Sequence, residues 1–435
     1  MPLKTPTQSL DRKLAPAFKV VEKIELIQAT EKRLQNNIPV YAINAGTQDL
    51  IKIEFLFSAG MYQQDIPLQA ATVNTMLEEG TSKLSAAQIA DAVDYYGAFL
   101  ETSVSQDNAS VVLYTLNKHL KVTLPIVEQV IKDATFPQAE LETHLVNKKQ
   151  RFFVNNQKVA NVARKRFTEL LFGEKHPYGI NVKEQDFDRI KRTLLVDFYK
   201  KAYVSNNCKI ILAGKVTDDL YKLLNDHFGN KDWSINMNNV TNLCEARTTT
   251  EPEQLIYKQE ALQSAIRIGK LLFNKTHPDF QSLQVLNTVF GGYFGSRLMS
   301  NIREDKGYTY GIGSGIVSLQ NGGYFFISTE VGAEVCKKAI HEIYFEMDRL
   351  REELVPDNEL QLVKNYLLGT FLRSVDGPFA MADRFKGILE YNLNYDYFNS
   401  YVATIKAISA SKLRELANNY LNKESMVELV VGKKE

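Results

Sequence analysis

The chain has 435 residues, too many for one ordinary hydrophobic core, so two or three domains are expected. It is 44% hydrophobic and 24% charged with a formal net charge of +1, which excludes a general electrostatic attraction to nucleic acid or to an anionic membrane. Three widely spaced cysteines, Cys208, Cys244 and Cys336, form no C-x-x-C pair and read as free thiols in a reducing compartment. Met1 to Val21 contains no apolar run of secretory length, and no stretch reaches the roughly eighteen apolar residues of a membrane span, so the expected location is cytoplasmic, or periplasmic had a leader been removed.

In chain order, Ile51 to Ala59 alternates as a strand and Pro67 to Glu79 reads as a helix broken by Gly80-Thr81. Ser85 to Tyr96 is a second helix opened by a serine cap. Phe99 to Val104 and Ala109 to Thr115 flank Gln106-Asp107-Asn108 as a hairpin, followed by a helix from Lys121 to Lys132. The basic runs Lys148-Lys149-Gln150-Arg151 and Arg164-Lys165-Arg166 read as a solvated helix face. The second half has the same order: strand Ala265 to Leu272, helix His277 to Phe290, a glycine break, short helix Arg297 to Asp305, hairpin Tyr310 to Leu319 and Gly323 to Val331, and helix Glu334 to Arg351. Both halves close alike, Tyr203 to Lys215 matching Tyr420 to Lys433, and the offset stays between about 215 and 219 residues throughout.

This internal repeat predicts an α+β protein of two homologous domains, each an antiparallel-rich sheet packed with helices. The boundaries are placed at residues 1–230 and 253–435, with the polar, Asn- and Thr-rich stretch 231–252 as linker.

Several segments resemble the insulinase/pitrilysin-type metallopeptidases, in their short, processing-peptidase-like form. They are Ser58-Ala59-Gly60, Met76 to Thr81, His176-Pro177-Tyr178-Gly179, Phe198 to Lys215 and, most specifically, Gly291 to Gly311. The resemblance runs from about Glu31 to Gly432 and implies that the chain forms half of a clamshell. Active members carry H-x-x-E-H on the first long helix, where two His four residues apart share one zinc and the Glu is general base. Counting back from Gly80-Thr81, the His positions fall on Ala71 and Thr75 and the Glu position on Asn74; the later glutamate ligand falls near Lys148 and Lys149. None of these side chains suits the task. No two of the six His residues lie within four positions of each other, so no metal or other cofactor is expected in this chain.

The family's second-domain motif is present. The resemblance implies that Arg303 and Tyr310, seven residues apart, hydrogen-bond substrate backbone and polarise the scissile carbonyl across the cavity. A guanidinium and a phenol suit that role, because both donate to an oxygen gaining negative charge. Read without the resemblance, Arg303 caps a helix and Tyr310 is an ordinary strand aromatic. Arg297 and Tyr308 have the same types at the wrong spacing. The strand containing Phe99, Leu100, Glu101 and Thr102 matches the family's edge strand that pairs with substrate, and reads equally as a plain edge strand. Gly311, Gly313 and Gly315 lie in a strand with no helix after them, which excludes a nucleotide fingerprint.

Two functions of different classes follow. In the first, the chain is the zinc-free subunit of a heteromeric peptidase; a homologous partner contributes zinc, and the substrate is a peptide or an unfolded protein segment. In the second it is a non-catalytic scaffold subunit. Neither nucleic acid nor membrane is expected as a partner.

Overall fold

A computed structural model of the chain describes residues 24–233 and 244–435. Met1 to Val21 and the central part of the expected linker lie outside the described residues. Among those described, no helix is long and apolar enough to cross a membrane.

Two sheets organise the described residues. The first contains β1 (Thr30–Arg33), β2 (Pro39–Asn44), β3 (Leu50–Phe57), β4 (Phe99–Val104), β5 (Ala109–Leu116) and β6 (Cys208–Gly214), in the order β1-β2-β6-β3-β5-β4. The second contains β7 (Glu253–Tyr257), β8 (Gln263–Leu272), β9 (Thr309–Leu319), β10 (Gly322–Gly332) and β11 (Val427–Gly432), in the order β7-β11-β8-β10-β9. With β1 set aside, the orders correspond strand for strand. In both sheets the first strand pairs in parallel with the last (β2 with β6, β7 with β11), and the pairs involving β3 or β8 are antiparallel.

Period-2 patterning explains the layers. In β3 the odd positions Ile51, Ile53, Phe55 and Phe57 are buried in the first core with Val111 and Leu113, under the helices Gln69–Met76, Leu120–Lys132 and Arg192–Ala202. The second core repeats this with Ile266, Ile268, Phe325 and Ile327 under Phe280–Asn287, Cys336–Glu352 and Ala410–Tyr420.

The opposite face of each sheet is covered by a helix from the other half. Pro378–Leu389 places Ala382, Phe385 and Ile388 against Ile43, Ile211 and Ala213 of the first sheet. Reciprocally, Val159–Phe172 places Ala163, Phe167 and Leu171 against Ala265, Leu429 and Val431 of the second. The first of these contacts also holds charge. Lys52 and Glu54, both buried on β3, meet 3.2 Å apart; Asp383 Oδ1 takes Lys52 Nζ at 2.6 Å and Lys386 Nζ reaches Glu54 Oε1 at 2.7 Å. Burial opposes the charge on Lys52, but Glu54 and Asp383 outweigh it and lift its pKa.

The two hairpin tips form a third contact between halves. Gln320 N donates to Asp107 Oδ2 at 3.0 Å, Tyr178 OH donates to Asp107 Oδ1, and Asn321 N donates to Tyr178 OH at 3.2 Å. His176 Nδ1 accepts from Tyr178 N at 3.0 Å and fixes the turn that delivers the phenol. Gly60 is required here because a Cβ would stand 2.4 Å from the Asn108 nitrogen. Two segments singled out in the sequence, Ser58–Gly60 and His176–Gly179, therefore build this junction.

Element boundaries differ from the sequence reading where the backbone turns. The first helix runs only Gln69–Met76, because Leu68 enters it at φ +77 and the chain leaves toward Gly80. His277 to Phe290 divides into Phe280–Asn287 and a π-helical turn Thr288–Gly292, and the short helix is a π-helical turn Met299–Asp305. Ser85 caps as expected, its hydroxyl accepting from Gln88 N while Gln88 Oε1 accepts from Ser85 N. The basic runs are not uniformly solvated. Lys148 is turned inward on the face that also carries Leu141, Leu145 and Phe152, and Lys165 lies over the Phe152 ring at 4.5 Å.

Because each sheet depends on the other half's helix, removing one contact should unfold both halves together. Phe385→Ala is expected to lower stability by about 3–5 kcal/mol in a single transition. Denaturant unfolding followed by circular dichroism and by Trp233 fluorescence checks this; two separated transitions would contradict it.

Candidate functional site

The helix Gln69–Met76 lies against β4 and is buried except along one ridge, where Thr75 is exposed and Ala71 half-buried. Thr75 Oγ1 donates to its own helix at Ala71 O, 3.0 Å. Asn74 is turned away from that ridge. It is 2% exposed, and its Nδ2 donates to Tyr203 OH at 3.1 Å and Ser110 O at 3.3 Å. Ala71, Asn74 and Thr75 therefore do not converge as donors, and they do not fit a zinc ion. Among the described residues no group of three His, Cys, Asp or Glu side chains is placed to hold a metal.

The helix Gln138–Gln157 carries Lys148 and Lys149, where the resemblance sets a third ligand. Lys148 Nζ meets His144 Nε2 at 3.5 Å, while Lys149 turns outward to Glu184 and Asp188 at 3.5 and 3.7 Å. Burial pushes Lys148 down to about 8. Burial, then the charges of Lys148 and Arg151, push His144 down to about 4.

β4 is an edge strand, bonded to β5 on one side only. Phe99 and Glu101 project outward, Phe99 67% exposed, while Leu100 and Thr102 face inward, Leu100 against the first core. Thr102 bonds Glu78, whose carboxyl is raised chiefly by burial. At the equivalent edge of the second sheet, β9 is covered. Ile312 N points to Met299 Sδ at 3.5 Å and Ser314 O accepts from Asn287 Nδ2 at 3.4 Å. Of the two equivalent edges, β4 is the one left open to another strand.

Arg303 and Tyr310 come together. Gly307, at φ +67, turns the chain from the helical turn Met299–Asp305 into β9. The Arg303 guanidinium then lies 4.7 Å from the Phe294 ring centre and 5.9 Å from that of Tyr310. Tyr310 is 95% exposed, and Glu304, 3.8 Å away, is the acidic partner of Arg303. Sequence reasoning missed Phe294, whose signal was an aromatic between Gly292 and Gly295. The off-spacing residues are structural: Tyr308 packs on the second core, and Arg297, 8% exposed, grips Glu359 through Nε and Nη2 at 2.9 and 3.0 Å.

The duplicated α+β frame, the helix Gln69–Met76 without metal-binding side chains and the half-buried Arg303 beside an exposed Tyr310 can be set against known proteins. The family profile described as Peptidase M16 inactive domain matches residues 189–367. The chain is 22% identical over 360 residues to the uncharacterized zinc protease YmxG of Bacillus subtilis, covering 82% of this chain and 86% of that one. It is 21% identical over 213 residues to the probable inactive metalloprotease YmfF of the same organism, 48% of each chain. Its fold superposes on a peptidase M16 inactive domain from Pseudomonas fluorescens with a TM-score of 0.84 at 22% identity, over 93% of this chain and 98% of that one. Over these residues the chain is similar to the M16 peptidases, the insulinase/pitrilysin type, and its relatives include both zinc proteases and a probable inactive metalloprotease.

Two outcomes follow from this geometry. Arg297→Met removes a buried partner of Glu359 and should cost about 1–3 kcal/mol, whereas Arg303→Met should stay within about 0.5 kcal/mol in denaturant unfolding. Second, His144 and Lys148 bind protons more weakly in the fold than at their ordinary values of 6.5 and 10.5. Unfolding thus takes up protons between about 4 and 6.5 and between about 8 and 10.5, and stability rises with pH across both windows. Lys148→Met should raise stability at pH 7 and flatten the upper window; an unchanged slope would place Lys148 in solvent.

Proposed function

We propose that the chain is the zinc-free subunit of a heteromeric peptidase, in which Arg303 and Tyr310 act on a peptide bound at a partner's zinc site. One observation carries this reading. A large aromatic is held almost fully exposed beside a guanidinium whose acidic partner stands 3.8 Å away, so the pair is available to something outside the chain.

The partner's zinc would supply the hydrolytic centre. This chain's residues would do two things. The Tyr310 hydroxyl and the Arg303 fork donate hydrogen bonds to the scissile carbonyl oxygen as it gains negative charge, and Phe294 holds the guanidinium plane in place. The open edge of β4, from Phe99 through Leu100, Glu101 and Thr102, takes an extended segment by backbone pairing, which suits peptides or unfolded segments of varied sequence. A scaffold subunit has no use for the pair, so its exposure favours the half-enzyme.

In the mixed complex, Tyr310→Phe should lower kcat about 10²–10³-fold, the usual effect of losing one oxyanion donor. Arg303→Lys should also be damaging, since an ammonium does not reproduce the planar fork. A loss in KM alone would mean ground-state holding rather than transition-state stabilisation. Full activity with Tyr310→Phe and Arg303→Ala, both folded, would make the chain a scaffold.

A further inference from the structure

The second half contains a cavity of about 360 Å³ bounded by β9 and the helices Phe280–Asn287, Asp357–Arg373, Pro378–Leu389 and Asp396–Ala407. That volume suits a small ligand. Phe280, Phe371 and Phe398 give it an apolar wall. Its polar side is cationic. Arg384 donates from Nε to Ser374 Oγ at 2.8 Å, and both its Nη groups lack a partner among the described residues. Lys275 donates to Gly387 O at 2.8 Å, and burial foremost pushes its pKa down. Asp383, the one carboxylate among the described lining residues, is already held by Lys52 at 2.6 Å.

The charges that meet around this floor leave a surplus. Lys52, Lys209, Lys275, Arg384 and Lys386 are positive; Glu54, Asp107, Asp383 and Glu390 are negative. One positive charge is unmatched, and the group best placed to receive an anion is the Arg384 fork, which matches a carboxylate bidentately.

We propose that this cavity binds a small monocarboxylate bearing an apolar group, its carboxylate on the Arg384 Nη groups and its body against the phenylalanine wall. A single surplus charge fits a monoanion better than a phosphate dianion, and the aromatic wall calls for an apolar body. The site is apart from the Arg303 pair: Ile316 and Ser318 line it at the far end of β9 from Tyr310. Because Pro378–Leu389 also covers the first sheet, an occupant would brace the contact between the halves.

The test is calorimetric titration of the full chain at pH 7 with 3-phenylpropionate and its neutral counterpart 3-phenylpropionamide. The acid should bind saturably at one site, and the amide about tenfold or more weakly. Arg384→Gln should abolish the preference for the acid while the circular dichroism stays unchanged. Should that variant fail to fold, the acid–amide comparison on the unaltered chain decides alone. No saturable binding of the acid up to about 10 mM, equal binding of the amide, or tighter binding of inorganic phosphate would each overturn the proposal.

Discussion

The buried pair Lys52–Glu54 constrains the whole molecule. Two ionised groups in the central strand of a sheet are tolerable only if every charge finds a partner, since removing one partner strands the other in low dielectric. β3 cannot satisfy them from its own half. The partners are Asp383 and Lys386, more than three hundred residues away on Pro378–Leu389. The first sheet therefore reaches its final state only when the second half has folded onto it, and Val159–Phe172 imposes the reciprocal condition on the second sheet. Apolar residues at these positions would pack as well but would accept many registers; the four-charge arrangement accepts few.

That interlock fixes where the functional features stand. β4 and β9 are the equivalent edge strands of the two sheets, and neither sheet can move far without uncovering a helix-packed face. The Asp107–Tyr178 junction ties the two hairpin tips, so the hairpin bearing β4 and that bearing β9 are joined at one end. Asp107 is 7% exposed at that junction, and its burial, against two hydrogen bonds, raises its pKa. Any cleft between this chain and a partner would be lined by a stiff body, which suits positioning an arginine and a tyrosine more than adaptive binding.

Much of this was legible in the sequence, and for identifiable reasons. Strands and hairpins were found because one face is apolar and the other carries polar side chains, as at Ile51 to Phe55, even though both faces of β3 are buried. The Ser85 cap was found because its Gln88 partner lies three residues on. The pairing of Arg303 with Tyr310 was legible from a resemblance, not from periodicity. What stayed hidden depends on distance in sequence. Nothing local says that Lys52 meets Asp383, or that Asp107 meets Gln320. Lys148 was misjudged because a basic run normally lies in water, and only the inward stripe of Leu141, Leu145 and Phe152 reveals its direction. The π-helical turns were hidden because one extra residue per turn leaves no compositional trace.

The three residues that the resemblance sets at zinc positions differ in their surroundings. Ala71 and Thr75 stay on the helix ridge, where side chains of other types would fit. Asn74 has joined the core. Its amide donates both to the Ser110 carbonyl and to the Tyr203 hydroxyl, so this position now requires a donor. A glutamate there would set carboxylate oxygens against a carbonyl oxygen, in a site 2% exposed with no cation among its bonded neighbours. It would either remain protonated or disturb the Tyr203 packing against Phe57. Of the three positions, Asn74 is thus the least tolerant of a carboxylate. The Arg303–Tyr310 pair makes no comparable demand on the core: the guanidinium lies over the Phe294 ring and the Tyr310 ring is 95% exposed.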